Sequence, residues 1–384
     1  MKILTCKSIF VCLWFVFVFC LAGQALAVGQ VNAFIYHRFG ESRYPSTNIE
    51  VEAFRQQLTY LREHDYQVFS LEEVVRRLRA SENLPEKAAV LTVDDAFTSF
   101  AEGGMPIVRE FGFPITLFVN TDAVGDHGYL DWEQIKALHE EGVEIGNHTA
   151  SHAYLVEMAE GEGFDDWRKR IVMDIERAQQ EFAGHLGFTP TTIAYPYGEY
   201  ADEVVEIVKQ LGFKAALAQQ SGVIHSTSDL YALPRFPMGG PYATLKEFAD
   251  KLLMKPLAVI GEEPYSPILQ ENPPKLLLQI DVTDVDMRRV NCFVQGENSC
   301  RVEVVTGQEG WYRVQADLPL SSSRRNKYTL TVPGKKGGWH WYSHLWVNAK
   351  SPALKNRRNN GQEMSAASPQ ADVGEAIQSV GANQ

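Results

Sequence analysis

Short apolar runs alternate with longer amphipathic stretches through most of the chain, from Val31 to about Lys251. The apolar runs have the length and composition of buried strands, and the stretches between them repeat apolar residues with a helical period. Strands are predicted at Ala33–Tyr36, Ala88–Val93, Ile115–Asn120, Val143–Gly146, Thr191–Tyr195 and Lys214–Ala218. Helices are predicted at Val51–Glu63, Leu71–Arg79, Trp132–Glu141, Trp167–Leu186 and Ala201–Leu211.

Repeated strand–helix units require a parallel sheet, because each helix carries the chain back to the edge where the next strand begins. No Gly-rich nucleotide-binding turn follows the first predicted strand. We therefore expect an α/β fold of the (β/α) barrel type rather than a Rossmann-type sheet. In such a barrel, the functional side chains stand at the carboxyl ends of the strands.

The pattern changes after this barrel domain, which we predict to span residues 28–256. A Pro-rich passage over 257–274 predicts a linker, and short β-type segments separated by turns predict a small all-β sandwich over 275–350. Cys292 and Cys300 of this domain either pair across two adjacent strands or remain buried thiols. Residues 351–384 lack aromatic side chains and are predicted to be a disordered tail.

The beginning of the chain has the pattern of an export signal. Lys2 and Lys7 precede an apolar run over 9–22, and small residues lead up to a cleavage site after Ala27. The run is shorter than a comfortable transmembrane span, so we expect no membrane insertion after signal cleavage. Residues 1–27 are accordingly predicted to be a signal peptide, and the protein to be exported to the periplasm or the cell exterior.

The net charge of the chain is −12 at pH 7. Nucleic acids and anionic membrane surfaces attract proteins that carry a basic field. The composition therefore argues against nucleic acid and membrane surfaces as partners, although acidity by itself identifies no substrate.

Two predicted strand ends carry side chains that bind metal ions in proteins. His148 and His152 follow one strand, and on a helical turn their spacing would put both imidazoles on one face. Asp94 and Asp95 end another strand, where adjacent carboxylates are costly unless a cation or hydrogen-bond donors stabilise them. One carboxylate and two imidazoles leave open positions for water and substrate, and the second carboxylate remains free to act as a base. The alternative is that both pairs are ordinary solvent-exposed side chains.

These motifs resemble those of the polysaccharide deacetylases, the NodB-like carbohydrate esterase family 4. The paired aspartates and the His-x-x-x-His segment are similar to the first two motifs of that family, and residues 194–198, Ala-Tyr-Pro-Tyr-Gly, are similar to the third. The resemblance implies a distorted (β/α) barrel of the NodB type and a divalent metal, expected to be Zn²⁺, on Asp95, His148 and His152. It further implies that Asp94 is the base and that the backbone N–H of Tyr197 stabilises the oxyanion.

The chain departs from the family pattern at two places. Ala194 stands where the family has an arginine that orients the catalytic aspartate, and no histidine motif follows the third motif. His37 ends the first predicted strand, an arrangement that resembles the circularly permuted branch that deacetylates poly-β-1,6-N-acetylglucosamine of biofilm matrices. The segment around Arg235, Leu-Pro-Arg-Phe-Pro, is also similar to that branch. By resemblance, Arg235 orients Asp94 and His37 protonates the departing amine; read alone, His37 is an ordinary strand-end histidine.

The function implied by the resemblance is hydrolysis of N-acetyl groups from an N-acetylhexosamine polysaccharide, with release of acetate. One alternative is an enzyme of the same fold that acts on another amide, on peptidoglycan or on chitin, and another is a catalytically silent glycan-binding protein. The expected partners are the polysaccharide and, beyond it, exopolysaccharide export machinery. Four aromatic residues of the β domain either fill the sandwich core or form a platform for sugar rings: Trp339, Trp341, Tyr342 and Trp346.

Overall fold

Nine strands of the first part of the chain form one curled sheet, in which the strands of the central path are parallel. The structure, a computed structural model, describes residues 29–294 and 299–353. Strands β2 and β3 form a separate small ribbon. The strands of this part are β1 (Gln30–Tyr36), β2 (Arg38–Phe39), β3 (Asn48–Ile49), β4 (Gln67–Phe69), β5 (Ala88–Asp94), β6 (Thr116–Val119), β7 (Glu144–Asn147), β8 (Thr192–Ala194), β9 (Ala215–Leu217), β10 (Ile224–His225) and β11 (Phe236–Pro237).

The order of the main sheet is β10-β1-β5-β6-β7-β8-β9, with β11 added beside β1 and β4 beside β5. All of β5 is buried, as expected for a strand whose two faces are both covered. Because the carboxyl ends of parallel strands meet at one edge of the sheet, the residues that follow β1, β5, β6 and β7 lie together there. The distorted barrel that the sequence predicts is confirmed.

Seven α-helices pack around this sheet. Ser70 and Asp131 cap α2 and α4 by accepting hydrogen bonds from backbone N–H groups of the first turn, and Gly187, with φ of 80°, ends α5 in the left-handed region. The helices are α1 (Val51–Glu63), α2 (Leu71–Arg79), α3 (Met105–Phe111), α4 (Trp132–Glu140), α5 (Phe164–Leu186), α6 (Asp202–Gln210) and α7 (Leu245–Leu252).

The predicted barrel strands and helices are all present, with boundaries that differ by at most three residues. Helices α3 and α7 were not predicted. Helix α3 follows a π-helical turn, Phe100–Gly104, whose two glycines weaken the local helical signal. The short strands β4, β10 and β11 were also missed, because two or three residues carry no readable alternation.

Eight further strands form two four-stranded sheets that face each other as a sandwich, with the orders β12-β19-β18-β15 and β13-β14-β17-β16. Apolar side chains from both sheets, including Leu278, Val314, Leu330 and Trp346, form the core between them. The strands are β12 (Met254–Pro256), β13 (Val259–Glu263), β14 (Lys275–Ile280), β15 (Asn291–Val294), β16 (Cys300–Val304), β17 (Trp311–Ala316), β18 (Arg325–Pro333) and β19 (Trp339–Val347).

The structure differs from the expected domain boundaries in three places. Strand β12 lies inside the predicted barrel range, yet it pairs with β19 of the sandwich. The predicted linker over 257–274 contains β13 and a bridge from Ile268 to Val347, because its prolines occupy strand ends and turns that need no N–H donor. The predicted tail begins with ordered residues, since Ala353 donates a backbone hydrogen bond to Val156. The predicted signal peptide and the rest of the tail lie outside the described residues.

Cys292 and Cys300 form a disulfide, with 5.6 Å between their Cα atoms. Their short separation suggested a bond between two adjacent strands of one sheet, but the two cysteines lie in different sheets. Strand β15 is an edge of one sheet and β16 is an edge of the other, so the bond links the two layers of the sandwich.

The sandwich and the barrel belong to one compact unit that extends to Ala353. Leu345 and Val347 of β19 pack into a barrel cluster, and the Trp341 ring meets that of Phe236 edge to face at 5.7 Å. The described part of the chain contains no helix with the length and apolarity that a membrane crossing requires.

Candidate metal centre

The site lies where β5 and β7 end, at the carboxyl edge of the parallel sheet. Asp94 is the last residue of β5, and Asp95 turns out of the strand with φ of 74°. His148 follows β7. Strand β6 lies between these two strands, so the sheet brings together side chains that are more than fifty residues apart in the sequence.

Asp95, His148 and His152 converge on one point. The Oδ1 atom of Asp95 lies 3.4 Å from Nε2 of His148 and 3.3 Å from Nε2 of His152, and the three candidate ligand atoms all lie within 4.8 Å of one another. The Nδ1 atom of His148 is hydrogen-bonded to the carbonyl oxygen of Ala194 at 2.7 Å, which fixes the ring with Nε2 turned toward Asp95.

This donor set fits a divalent cation. Asp95 Oδ1 is buried and has no hydrogen-bond partner among the described residues, a costly arrangement for a carboxylate oxygen unless a cation satisfies it. Two imidazole nitrogens and one carboxylate oxygen form the ligand type of catalytic zinc sites, which leave a coordination position open. The three residues could therefore hold the expected ion.

The two histidines do not lie on a helical turn. Residues 148–152 form a loop in which Thr149 and His152 have φ of 64° and 53°. The Asn147 side chain accepts a hydrogen bond from the backbone N–H of Thr149, and the Thr149 hydroxyl accepts one from that of His152. These two bonds shape the loop, and the imidazole centroids lie 4.7 Å apart.

Arg235 and Asp94 form a bidentate ion pair in which both side chains are fully buried. Arg235 Nη1 donates to Asp94 Oδ1 at 2.7 Å and Nη2 donates to Oδ2 at 2.9 Å. Two further N–H groups of the guanidinium donate to Thr92 Oγ1 at 3.0 Å and to the carbonyl oxygen of Ala218 at 3.1 Å. Burial by itself raises the pKa of Asp94, but the charges of Arg235 and His148 outweigh it, and the pKa lies below its usual value.

His37 follows β1, which lies directly beside β5 with Tyr36 opposite Val93. The imidazole thereby stands close enough to Asp94 and Asp95 to be influenced by their charges. Burial lowers the pKa of His37, and the two carboxylates oppose this effect only in part.

His225, another histidine of the barrel, is far from the site. It pairs with Gln30 at the amino end of β1. Seven residues of extended chain separate that end from His37, which corresponds to about 20 Å. The sheet register therefore excludes His225 from the chemistry.

Tyr197 lies in the turn that follows β8, and it lines the cavity in front of Asp95 and His152. Its backbone has φ of 60°, a conformation that costs free energy for a residue other than glycine. The Tyr197 ring meets His152 edge to face at 4.6 Å and stacks on Tyr154 at 4.2 Å.

Backbone strain concentrates at this site. Among the described residues other than glycine, seven have positive φ, and five of those seven lie on the loops that form the site. Such residues persist only where the surrounding structure holds them, and they cluster where side chains must be aimed at a ligand. The five are Asp95, Ala96, Thr149, His152 and Tyr197.

The cavity in front of Asp95 and His152 has a volume of about 450 Å³. Its walls include residues that sequence reasoning missed, among them Asn120 and Tyr129. Asn120 follows β6 directly, so the rule that functional side chains follow barrel strands would have found it. Tyr129 lies in a loop, and no sequence signal marks it.

Residues 81–216 match the family model of polysaccharide deacetylases. This segment, about a third of the chain, is similar to the polysaccharide deacetylases. The matched segment contains the three metal-ligand candidates and also Asp94 and Tyr197, whereas His37 and Arg235 lie outside it. In the tertiary structure, Arg235 binds Asp94 directly, and His37 lies close enough to be influenced by the charge of Asp94.

Two relatives carry the name poly-beta-1,6-N-acetyl-D-glucosamine N-deacetylase. The protein of Escherichia coli K12 is 26% identical over 270 residues, which cover 61% of this chain and 38% of the relative. The protein of Staphylococcus aureus MRSA252 is 22% identical over 211 residues, which cover 53% of this chain and 72% of the relative. The similarity to the E. coli protein thus spans less than half of that protein's length.

Solved structures show the same fold. The deacetylase PplD of Streptococcus pyogenes superposes with a TM-score of 0.53 and 22% identity, over 59% of this chain and 99% of PplD. IcaB from Ammonifex degensii superposes with a TM-score of 0.51 and 24% identity, over 58% of this chain and 97% of IcaB. The part of the chain that superposes in each case, 58–59%, corresponds in length to the barrel without the sandwich.

Proposed function

We propose that this protein is an exported, metal-dependent N-deacetylase that hydrolyses the acetamido groups of an N-acetylhexosamine polysaccharide. The observation that carries the proposal is the convergence of two functions at one sheet edge. Asp95, His148 and His152 offer a cation site. Asp94, held by Arg235, lies beside this site and is not one of its three ligand candidates. Metal-dependent hydrolysis uses both a Lewis acid and a base, and this edge supplies residues for each.

When Asp95, His148 and His152 hold a divalent ion, expected to be Zn²⁺, the ion supplies Lewis acidity for the acetamide carbonyl and lowers the pKa of water. Asp94 accepts a proton from the attacking water. Its carboxylate keeps free lone pairs for that proton, because each oxygen has two and Arg235 occupies one on each. The backbone N–H of Tyr197 donates to the developing oxyanion, a contact worth about 3 kcal/mol.

His37 donates a proton to the sugar nitrogen as the C–N bond breaks, which yields acetate and a free amine. A lowered pKa makes the imidazolium of His37 a stronger acid, which favours this transfer. At neutral pH the product amine takes up a further proton. Every turnover therefore adds one positive charge to the polymer.

The names of the E. coli and S. aureus relatives favour poly-β-1,6-N-acetylglucosamine as the polysaccharide. The position of His37 directly after β1, before the other motifs, supports the same permuted branch. A silent glycan-binding protein is the weaker candidate, because binding alone requires neither a base nor an acid beside the cation site. Exopolysaccharide export machinery remains a predicted partner, and the predicted export signal lies outside the described residues.

The test is acetate release by the purified mature chain from a panel of acetylated oligomers with β-1,6 and β-1,4 linkages. We expect turnover with the β-1,6 series, loss of turnover after chelation and recovery when Zn²⁺ is returned. Asp94→Asn serves as the matched control, because it keeps the side-chain size and removes the base. Absence of acetate from every glycan, in folded protein with stoichiometric metal, would refute the proposal.

A further inference from the structure

A second cavity lies between the barrel and the sandwich sheet that contains β18 and β19. Its volume is about 960 Å³, twice that of the cavity in front of Asp95. Tyr197 lines both cavities, so the larger one begins at the rim of the metal centre. We refer to it as the interdomain cleft. Its size and its position beside the reacting group suit the neighbouring units of a polymer chain.

Strand β18 alternates between the interdomain cleft and the sandwich core. Arg325, Lys327, Thr329 and Thr331 line the cleft, whereas the residues between them face the opposite side, where Tyr328, Leu330 and Val332 lie in the core. Successive side chains of a strand point to opposite faces, so the register of β18 presents a row of polar groups to the cleft. A sheet face that served only for packing against the barrel would be apolar.

The basic side chains of the interdomain cleft differ in their partners. Arg324 and Arg325 both contact the buried carboxylate of Glu199, at 2.6 Å and 3.2 Å, and Lys251 lies 3.4 Å from Glu247. The side-chain amine of Lys327 has no hydrogen bond and no ion pair within the described ranges.

Lys327 is therefore the uncompensated cation of the cleft. Burial and the nearby Arg325 lower its pKa, which means that the protein forgoes stability to keep this amine in place. The net charge of −12 means that carboxylates outnumber basic side chains in this protein. None of them contacts this amine in the part of the chain that the structure describes. An unpaired amine that lines a cleft is a donor for a ligand.

Aromatic rings complete the interdomain cleft. Trp339 and Phe293 from the sandwich and Tyr242 from the barrel line it with 41%, 54% and 53% of their surfaces exposed. Trp341 lines the cleft as well, and its indole N–H donates to Ser343 Oγ at 2.9 Å. Exposed rings beside hydrogen-bonding groups suit the apolar faces and polar edges of sugars. Trp346 instead belongs to the sandwich core.

We propose that the interdomain cleft binds the glycan strand next to the sugar being hydrolysed and selects units that still carry their acetyl groups. This inference rests on the proposed deacetylase function. A neutral acetamide offers a carbonyl oxygen to the amine of Lys327, whereas a deacetylated unit presents an ammonium group to it. Two ammonium groups repel, and neither can accept a hydrogen bond from the other.

Two consequences follow for the polymer. A segment that has just been deacetylated loses affinity for the cleft, so the positively charged product leaves. The next reaction then takes place on a segment that is still acetylated. The free amines should accordingly be spaced along the chain instead of forming contiguous blocks.

The test measures binding without turnover, in the Asp94→Asn background. Calorimetry compares a fully acetylated oligomer with one of equal length that carries free amines at internal positions. We expect the acetylated oligomer to bind about tenfold more tightly, a difference of 1.4 kcal/mol, and the preference to weaken as salt screens the repulsion. In Lys327→Met and Lys327→Gln the two affinities should become equal, whereas Lys327→Arg should keep the preference.

Lys336→Met is the matched control, because this lysine also lies in the sandwich, its side chain is 88% exposed and it does not line the cleft. It should bind both oligomers as the parent does. Equal affinities in the parent, or a preference that survives Lys327→Met, would overturn the inference. A preference that depends on Lys327 in a protein whose native form releases no acetate would instead overturn the proposed function and leave the cleft assignment standing.

Discussion

Arg235 and Asp94 stand 141 positions apart in the sequence, and their fully buried side chains meet in two parallel hydrogen bonds of 2.7 Å and 2.9 Å. The pair fixes both oxygens of the carboxylate. Planar guanidinium is the side chain that provides this geometry, since lysine offers a point charge and no fork.

Replacement of Arg235 by lysine should therefore lower kcat by about 10²-fold, because a small displacement of a positioned base has that effect. Metal content should stay unchanged. Arg235→Ala should also lower the free energy of unfolding by about 3–5 kcal/mol, since it leaves a buried carboxylate unpaired. Steady-state kinetics, elemental analysis and chemical denaturation measure the three effects. Unaltered kcat in Arg235→Lys would show that Asp94 needs no orientation.

The metal centre predicts a specific pattern of metal loss. His148→Ala and Asp95→Ala should bind less than one metal ion per chain, because each removes one of three ligand atoms. Chelation should lower the thermal midpoint of the parent protein and leave that of the two variants nearly unchanged. Free metal at a concentration of 1,000 times Kd stabilises the fold that binds it by about 4 kcal/mol. His225→Ala, far from the site, is the control and should retain full metal content; stoichiometric metal in His148→Ala would show that the site is wrongly assigned.

His37→Ala should leave metal content intact and lower kcat by around 10² to 10⁴, the usual contribution of a positioned acid. The loss should shrink on an acetylated phenol, because a phenolate departs without a proton. Asp94→Asn should impair both substrates, since attack by water precedes departure of either group. The measurement is kcat on amide and ester for each variant. Equal losses on both substrates for His37→Ala would indicate that this histidine positions or binds and does not protonate.

The stability of the fold should depend on pH through His225. Burial lowers its pKa from 6.5 to about 4, so between these two values the unfolded chain binds a proton that the folded protein excludes. His225 does not change the free energy of unfolding above pH 6.5. As the pH falls toward 4, it lowers the free energy of unfolding progressively, by up to about 3 kcal/mol.

Denaturation of the parent and of His225→Gln at pH 7 and pH 4.5 tests this expectation. The difference in unfolding free energy between the two proteins should shift in favour of the variant at the lower pH. A glutamine in place of the exposed His64 serves as the control and should follow the parent at both values. An equal change in unfolding free energy between pH 7 and pH 4.5 for all three proteins would contradict a buried, neutral His225.

The sequence by itself determined the features that depend on neighbouring residues. Apolar runs and amphipathic stretches located β5, α1 and α2 to within a residue or two, because burial of a strand or of a helix face leaves a local period. The Asp94-Asp95 and His148-x-x-x-His152 motifs were readable for the same reason. The family resemblance then suggested roles for His37 and Arg235 that their own surroundings in the sequence did not reveal.

Only the tertiary structure decided which distant residues share the site. His37 and Arg235 reach Asp94 because β1 lies between β5 and β11, an order that no stretch of sequence encodes. The same holds for β13 inside an apparent linker, for a disulfide that joins two sheets and for the exposure of Lys327 to a cleft. Strand order and domain packing are set by the burial of whole faces against one another, so they emerge from the sum of many contacts rather than from any local pattern.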